Sequence, residues 1–163
     1  MAMAYRHAYV ANLAYSAKPA QAVKALAEGE SYPGPSLFIC YCPCIEHGID
    51  MSNTEEQVKA AVNSCYWPVF RYDPRRIAQG LNPLQLDSKD PKISFRDFAM
   101  GQNRFRRLKR EYPEEFEAVM ADAERVVRQR WLFYKQLASM DYSEFVQKVA
   151  DEVAAHGTAD YRP

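Results

Sequence analysis

The sequence predicts an α/β fold: a partial parallel sheet read as β-α-β-α-β, followed by a long helical C-terminal extension. Three observations carry this. Over residues 1–91, short apolar, β-branched and aromatic runs alternate with apolar stripes spaced three or four residues apart, the pattern of strands joined by crossover helices. The run Ser36 to Tyr41, SLFICY, is apolar on both faces, as a central parallel strand covered by helices on both sides would be. From Phe116 to Ala138, apolar residues recur every three or four positions, the spacing of one helix face. Residues 1–91 are therefore expected to form the sheet-bearing part and residues 92–163 the helical extension.

The elements follow in order. Ala8 to Leu13 combines β-branched and aromatic residues and reads as the first strand. Ser16 is expected to cap a helix with Pro19 near its first turn. Ala22, Val23, Leu26 and Ala27 form its stripe, and Gly29 stops it. Tyr32-Pro33-Gly34-Pro35 is a turn into SLFICY. A second helix starts at Asn53 or Thr54 and buries Val58, Ala61 and Val62. Trp67 to Tyr72, WPVFRY, is the third strand, with Pro68 at its start. All three strands are expected to run parallel through right-handed crossovers. A short extended piece spans Leu84 to Asp87. Ser94 and Asp97 form a capping box ahead of Phe95, Phe98 and Ala99. Pro113, then Glu114, Glu115 and Glu117, open the long helix at its positive dipole end. It carries Phe116, Met120, Ala123, Val127, Trp131, Tyr134 and Ala138 to about Met140, some 40 Å at about 1.5 Å per residue. That is more helix than so small a sheet covers. A last helix runs from about Ser143 to Ala155 and ends at His156-Gly157, and the tail HGTADYRP reads as frayed.

Composition bounds the function. The 163 residues carry 21 Lys and Arg against 21 Asp and Glu, with 48% hydrophobic and 26% charged residues, an ordinary globular domain's worth of chain. Zero net charge removes any bulk electrostatic case for nucleic acid or an anionic membrane. The basic run Arg104, Arg106, Arg107, Lys109 and Arg110 lacks interleaved aromatics and reads as a solvated helix face. The N-terminus has no signal-peptide core. No window approaches the roughly 18 apolar residues of a membrane span. A soluble, cytoplasmic protein is expected.

The chemistry concentrates at Cys40-Tyr-Cys42-Pro-Cys44-Ile-Glu-His47-Gly48, where a strand ends at its carboxyl side and open α/β sheets bind ligands. In a reducing compartment clustered cysteines point to metal, redox use or plain burial. Thiolates here could ligate zinc or iron–sulfur. Pro43 breaks the alternation that would put all three thiols on one face. Cys40 reads as a buried core thiol. A self-contained site of Cys40, Cys42, Cys44 and Cys65 or His47 lacks paired CxxC spacing; one cysteine serving as a single ligand of a shared site is the alternative metal reading, and plain burial stays open beside both. His47 before Gly48 reads as a turn, and His7 and His156 as incidental. Arg71 and Asp73 read as a buried pair fixing a turn, or as a phosphate or carboxylate holder. There is no Gly-rich phosphate loop, GxSxG, HExxH or GDG diphosphate motif, so a complete catalytic centre is not visible.

Several strings then carry a family likeness: PGPSL at residues 33–37, PCIEHG at 43–48, YWPVFRYDPR at 66–75 and NPLQLDSKDP at 82–91. Over about residues 1–140 the chain resembles the C-terminal part of pyruvate:ferredoxin (flavodoxin) oxidoreductase. The resemblance implies the end of the thiamine-diphosphate-binding domain for residues 1–91 and a C-terminal extension for 92–163. It implies that Cys44 is one ligand of a [4Fe–4S] cluster whose other ligands lie upstream, with Pro43, Ile45 and His47 shaping its loop. Cys40, Cys42 and Cys65 carry no implied role. The implied whole enzyme uses thiamine diphosphate and Mg2+ to decarboxylate pyruvate, makes acetyl-CoA from coenzyme A, and delivers electrons through clusters to ferredoxin or flavodoxin. The implied partners are the remainder of the oxidoreductase chain and, in a homodimer, a second copy. The chain alone is expected to be an inactive fragment, with no catalytic residue of its own. The competing expectation is a non-catalytic α/β interaction module with a structural metal on the Cys-rich loop.

Overall fold

The structure is a computed structural model and describes residues 2–156. Its centre is a four-stranded sheet in the order β2-β1-β3-β4. The strands are β1 (Tyr9–Leu13), β2 (Ser36–Cys40), β3 (Phe70–Tyr72) and β4 (Leu84–Leu86). Six helices accompany it: α1 (Pro19–Glu30), α2 (Thr54–Asn63), α3 (Phe95–Met100), α4 (Asn103–Glu111), α5 (Pro113–Ser139) and α6 (Ser143–His156). The expected tail from Gly157 onward lies outside the described residues.

The expectation of an all-parallel sheet is corrected. Only β1 and β2 run parallel; β3 pairs antiparallel with β1, and β4 antiparallel with β3. The cause is visible at Leu13. Its carbonyl accepts both the Tyr41 N–H at 2.9 Å and the Trp67 indole N–H at 3.0 Å. The chain leaves the sheet after β2 and returns beside the same end of β1. The ten-residue α2 is spent closing that excursion rather than carrying the chain back across the sheet, so β3 must run the other way.

The second correction concerns β2. Far from being central, it is an edge strand, and it is largely uncovered: Leu37 and Ile39 are 43% and 39% exposed. Cys40, the expected buried thiol, is exposed because it ends this edge strand opposite Leu13 with no helix over it. The buried cysteine is Cys65.

Helix α1 also differs in phase. Lys18, not Ser16, takes the N-cap position, and Gly29 lies inside the helix. The buried face is Ala22, Ala25 and Gly29, while the expected Val23 and Leu26 face outward. The face that meets Tyr9, Ala11 and Leu13 is built from small residues. A Cβ added at Gly29 would run into the Phe38 ring and approach Tyr9 to 3.2 Å. Close helix–sheet approach selects against the larger side chains that periodicity favoured.

The opposite face of the sheet, Val10, Phe70, Tyr72 and Leu84, packs on Tyr134, Leu137 and Ala138 of α5. Nearer its start, α5 buries Phe116, Met120 and Val127 against Ala61 of α2 and Phe95, Phe98 and Ala99 of α3. One amphipathic helix thus ties the α2–α3 cluster to the sheet. The stripe of α2, Val58, Ala61 and Val62, is buried as expected. The capping box holds: the Ser94 hydroxyl accepts the Asp97 N–H at 3.0 Å, and the Asp97 carboxylate accepts the Ser94 N–H at 3.2 Å. No described helix is long and apolar enough to cross a membrane.

Candidate functional site: the cysteine loop

The loop after β2 is built by short-range hydrogen bonds. After Tyr41 makes the last ladder bond, Cys44 adopts an extended backbone (φ −124°, ψ 138°) and leads into a single 3-10 turn, Ile45–His47. The Cys44 carbonyl accepts the His47 N–H at 3.0 Å, and the Ile45 carbonyl accepts the Gly48 N–H at 2.7 Å. Gly48 closes the turn in the left-handed region, φ 68° and ψ 44°, where a residue without Cβ is at no disadvantage. The expected turn at His47-Gly48 is therefore present. Asp50 then accepts the Ser52 N–H and hydroxyl at 2.9 and 2.7 Å, opening the turn that leads into α2.

Cys40, Cys42 and Cys44 are all free and exposed. The Cys42 thiol reaches only the neighbouring Pro43 carbonyl, at 3.6 Å. Tyr41, between them, turns inward against Tyr66 and Trp67, and burial pushes its hydroxyl up to about 12. Cys65 is elsewhere: it follows α2 with a left-handed φ of 56° and points its thiol at the Lys89 carbonyl, 3.5 Å away. Burial pushes that thiol up to about 11. The four cysteines are not one set. Among the described residues no three of His, Cys, Asp and Glu are grouped to hold a metal ion.

The expected Arg71–Asp73 pair is not formed. Arg71 turns to the α1 side of the sheet. There its Nε and Nη2 donate to Asp87 at 2.8 and 2.9 Å, and Nη1 donates to Glu28 at 2.6 Å. Tyr9 donates its hydroxyl to the same Glu28 carboxylate at 2.9 Å. The Asp87 hydrogen bonds hold the Arg71 guanidinium well above its ordinary value. Asp73 instead caps the turn after β3 and pairs with Arg75 at 2.8 Å. The arginine that reads as a ligand holder is thus a structural tie between α1, β3 and the segment after β4.

One feature of the site leaves no mark in the sequence pattern. The Gly48 carbonyl accepts the N–H of Asn103, at 3.1 Å, the first residue of α4. The Cys loop therefore hangs on the helical half of the chain, 55 residues away in sequence.

These features define a mixed α/β unit, extended by a long helix, that presents free thiols where a parallel pair of strands ends. Its relatives make the assignment particular. No family model matches the chain. The pyruvate:ferredoxin oxidoreductase of Moorella thermoacetica is 48% identical over 138 residues, 85% of this chain and 12% of that protein. The pyruvate-flavodoxin oxidoreductase of Trichormus variabilis is 41% identical over 144 residues, 88% of this chain and again 12% of the relative. The chain is a homologue of one segment of the pyruvate:ferredoxin (flavodoxin) oxidoreductases and spans 12% of the length of the relatives it matches.

Proposed function

We propose that the chain is part of an oxidoreductase that oxidatively decarboxylates pyruvate to acetyl-CoA and passes electrons through [4Fe–4S] clusters to ferredoxin or flavodoxin. Within it, Cys44 is one cluster ligand, and residues 1–91 close the thiamine-diphosphate-binding domain, with residues 92–163 as its C-terminal extension. The observation that carries this reading is 48% identity to a pyruvate:ferredoxin oxidoreductase over 85% of the chain. The donor set fits: Cys44 is a free, exposed thiol held at the head of a hydrogen-bonded turn, and thiolates are the ligands of such clusters. When bound, the cluster would accept and release single electrons. This chain's own part is to supply one thiolate and hold it on a closed turn. Thiamine diphosphate, Mg2+, coenzyme A and pyruvate would be held by the remainder of the enzyme, and no residue here is assigned to them. A homodimeric, cytoplasmic enzyme is part of the same reading.

The test is anaerobic expression of the chain alone and together with the upstream part of the enzyme. The chain alone should hold no stable cluster; the complete protein should be brown and oxygen-sensitive. Cys44→Ser should lower iron content and activity, and Cys40→Ser should leave both unchanged. Stoichiometric zinc on the chain alone, or full iron in Cys44→Ser, overturns the reading.

A further inference from the structure

Gly48 is constrained twice over. Its backbone sits at φ 68°, and a Cβ built on it would run into the Asn103 side chain and come within 3.3 Å of the Asn103 Cα. Either constraint alone favours glycine; together they leave room for nothing else. The close approach is also bonded, through the Gly48 carbonyl and the Asn103 N–H. That N–H belongs to the first turn of α4, where helix donors have no partner of their own. A side chain at the N-cap, here Gln102, reaches the second or third helical N–H rather than the first, and it is the Gly48 carbonyl that serves the first. Only three residues separate Cys44 from Gly48, and the two hydrogen bonds of the Ile45–His47 turn span them. The position of Cys44 is thereby referred to α4 as well as to the end of β2.

We infer that Gly48 is the positioning residue for Cys44, and that Gly48 with Asn103 forms a clasp through which the helical extension sets the geometry of the thiolate. The inference rests on Cys44 being a cluster ligand. The clasp fixes where the sulfur stands, so its loss should change the cluster's spectroscopic signature before it changes the fold.

The experiment uses the complete oxidoreductase, purified anaerobically, with Cys44→Ser identifying which reduced-cluster EPR signal depends on this chain. Gly48→Ala adds the Cβ and the left-handed strain. Asn103→Pro removes the donor, yet keeps α4 acceptable: proline suits the first helical position, and Gln102 before it is already extended (φ −108°, ψ 133°), as the residue preceding proline prefers. Gly80→Ala is the control, because Gly80 has the same φ of 68° with nothing closer than 3.7 Å to an added Cβ. Gly48→Ala and Asn103→Pro should each shift the g-values and midpoint potential of the Cys44-dependent signal, and Gly80→Ala should leave them in place. Unchanged signals in both clasp variants, or an equal shift in Gly80→Ala, overturn the clasp while leaving Cys44 standing. A Cys44→Ser protein with an unaltered spectrum overturns the ligand reading itself.

Discussion

Replacing Arg71 with Met should destabilise the fold by about 3 kcal/mol. The side chain is 7% exposed and is held by Asp87 and Glu28. Removing one member of a buried ion pair costs about 3–5 kcal/mol, because the other is left charged and unpaired. Here Glu28 and Asp87 remain 24% and 19% exposed, so water recovers part of the loss and the lower end applies. Arg71→Lys keeps the charge but cannot bridge both Asp87 oxygens and Glu28 at once, and losing one charge-assisted bond should cost about 1.5 kcal/mol. Urea denaturation reads both, as a lower midpoint at unchanged slope. The triple variant Arg71→Met/Glu28→Gln/Asp87→Leu should recover most of the loss. It strands no charge, and the amide oxygen introduced by Glu28→Gln can still accept from the Tyr9 hydroxyl. A loss below about 1 kcal/mol in Arg71→Met, or a triple variant no more stable than the single one, would refute this account of the network.

The two faces of α5 should respond very differently. Trp131→Ala removes a side chain that is 3% exposed and hydrogen-bonded to Asp90 at 3.2 Å; thermal unfolding should report a loss of about 3–5 kcal/mol. Phe133→Ala, at a position 56% exposed, should stay within about 0.5 kcal/mol in the isolated chain. Cys65 predicts an alkaline limit. Its folded thiol lies near 11 against an ordinary 9.0. The raised value means that the folded state holds the proton more tightly than the unfolded chain. Unfolding therefore becomes progressively easier as pH rises from 9 through 11, by about 3 kcal/mol in all. The stability read by denaturation at pH values from about 8 to 11.5 should accordingly fall less steeply in Cys65→Ala than in the unaltered chain, over roughly the window that linkage sets.

What periodicity could and could not see follows from the packing. The long helix was legible because Phe116, Met120, Val127 and Trp131 are all buried on a face that meets a broad surface. Periodicity assigns the wrong face of α1 because the helix approaches the sheet too closely for Val23 or Leu26, and hydrophobicity patterns carry no information about distance. Strand direction was illegible for a similar reason. The β-α-β rhythm is the same whether α2 carries the chain across the sheet or folds it back, and what decides is the double use of the Leu13 carbonyl. The likeness in PCIEHG singled out Cys44 where composition left four cysteines open. It could not reveal Asn103 as the other half of the turn's support, because contacts that distant in sequence leave no local spacing.

The edge position of β2 sharpens what must distinguish Cys44. Were β2 central, burial would separate Cys40 from the loop thiols; at the edge, Cys40, Cys42 and Cys44 are all free and exposed. Exposure therefore does not select a ligand; under the proposed function, constraint would. Cys44 carries the carbonyl that starts the 3-10 turn and is tied through Gly48 to α4, whereas the Cys42 thiol reaches only Pro43 beside it. If constraint selects, Cys42 should not substitute for Cys44 although it stands two residues away. In the complete enzyme, Cys44→Ser should lose iron despite an intact Cys42, and Cys42→Ser/Cys44→Ser should lose no more. Iron content and the reduced-cluster EPR signal measure this directly. A double variant clearly poorer in iron than Cys44→Ser would show the loop to be slack enough for either sulfur to serve.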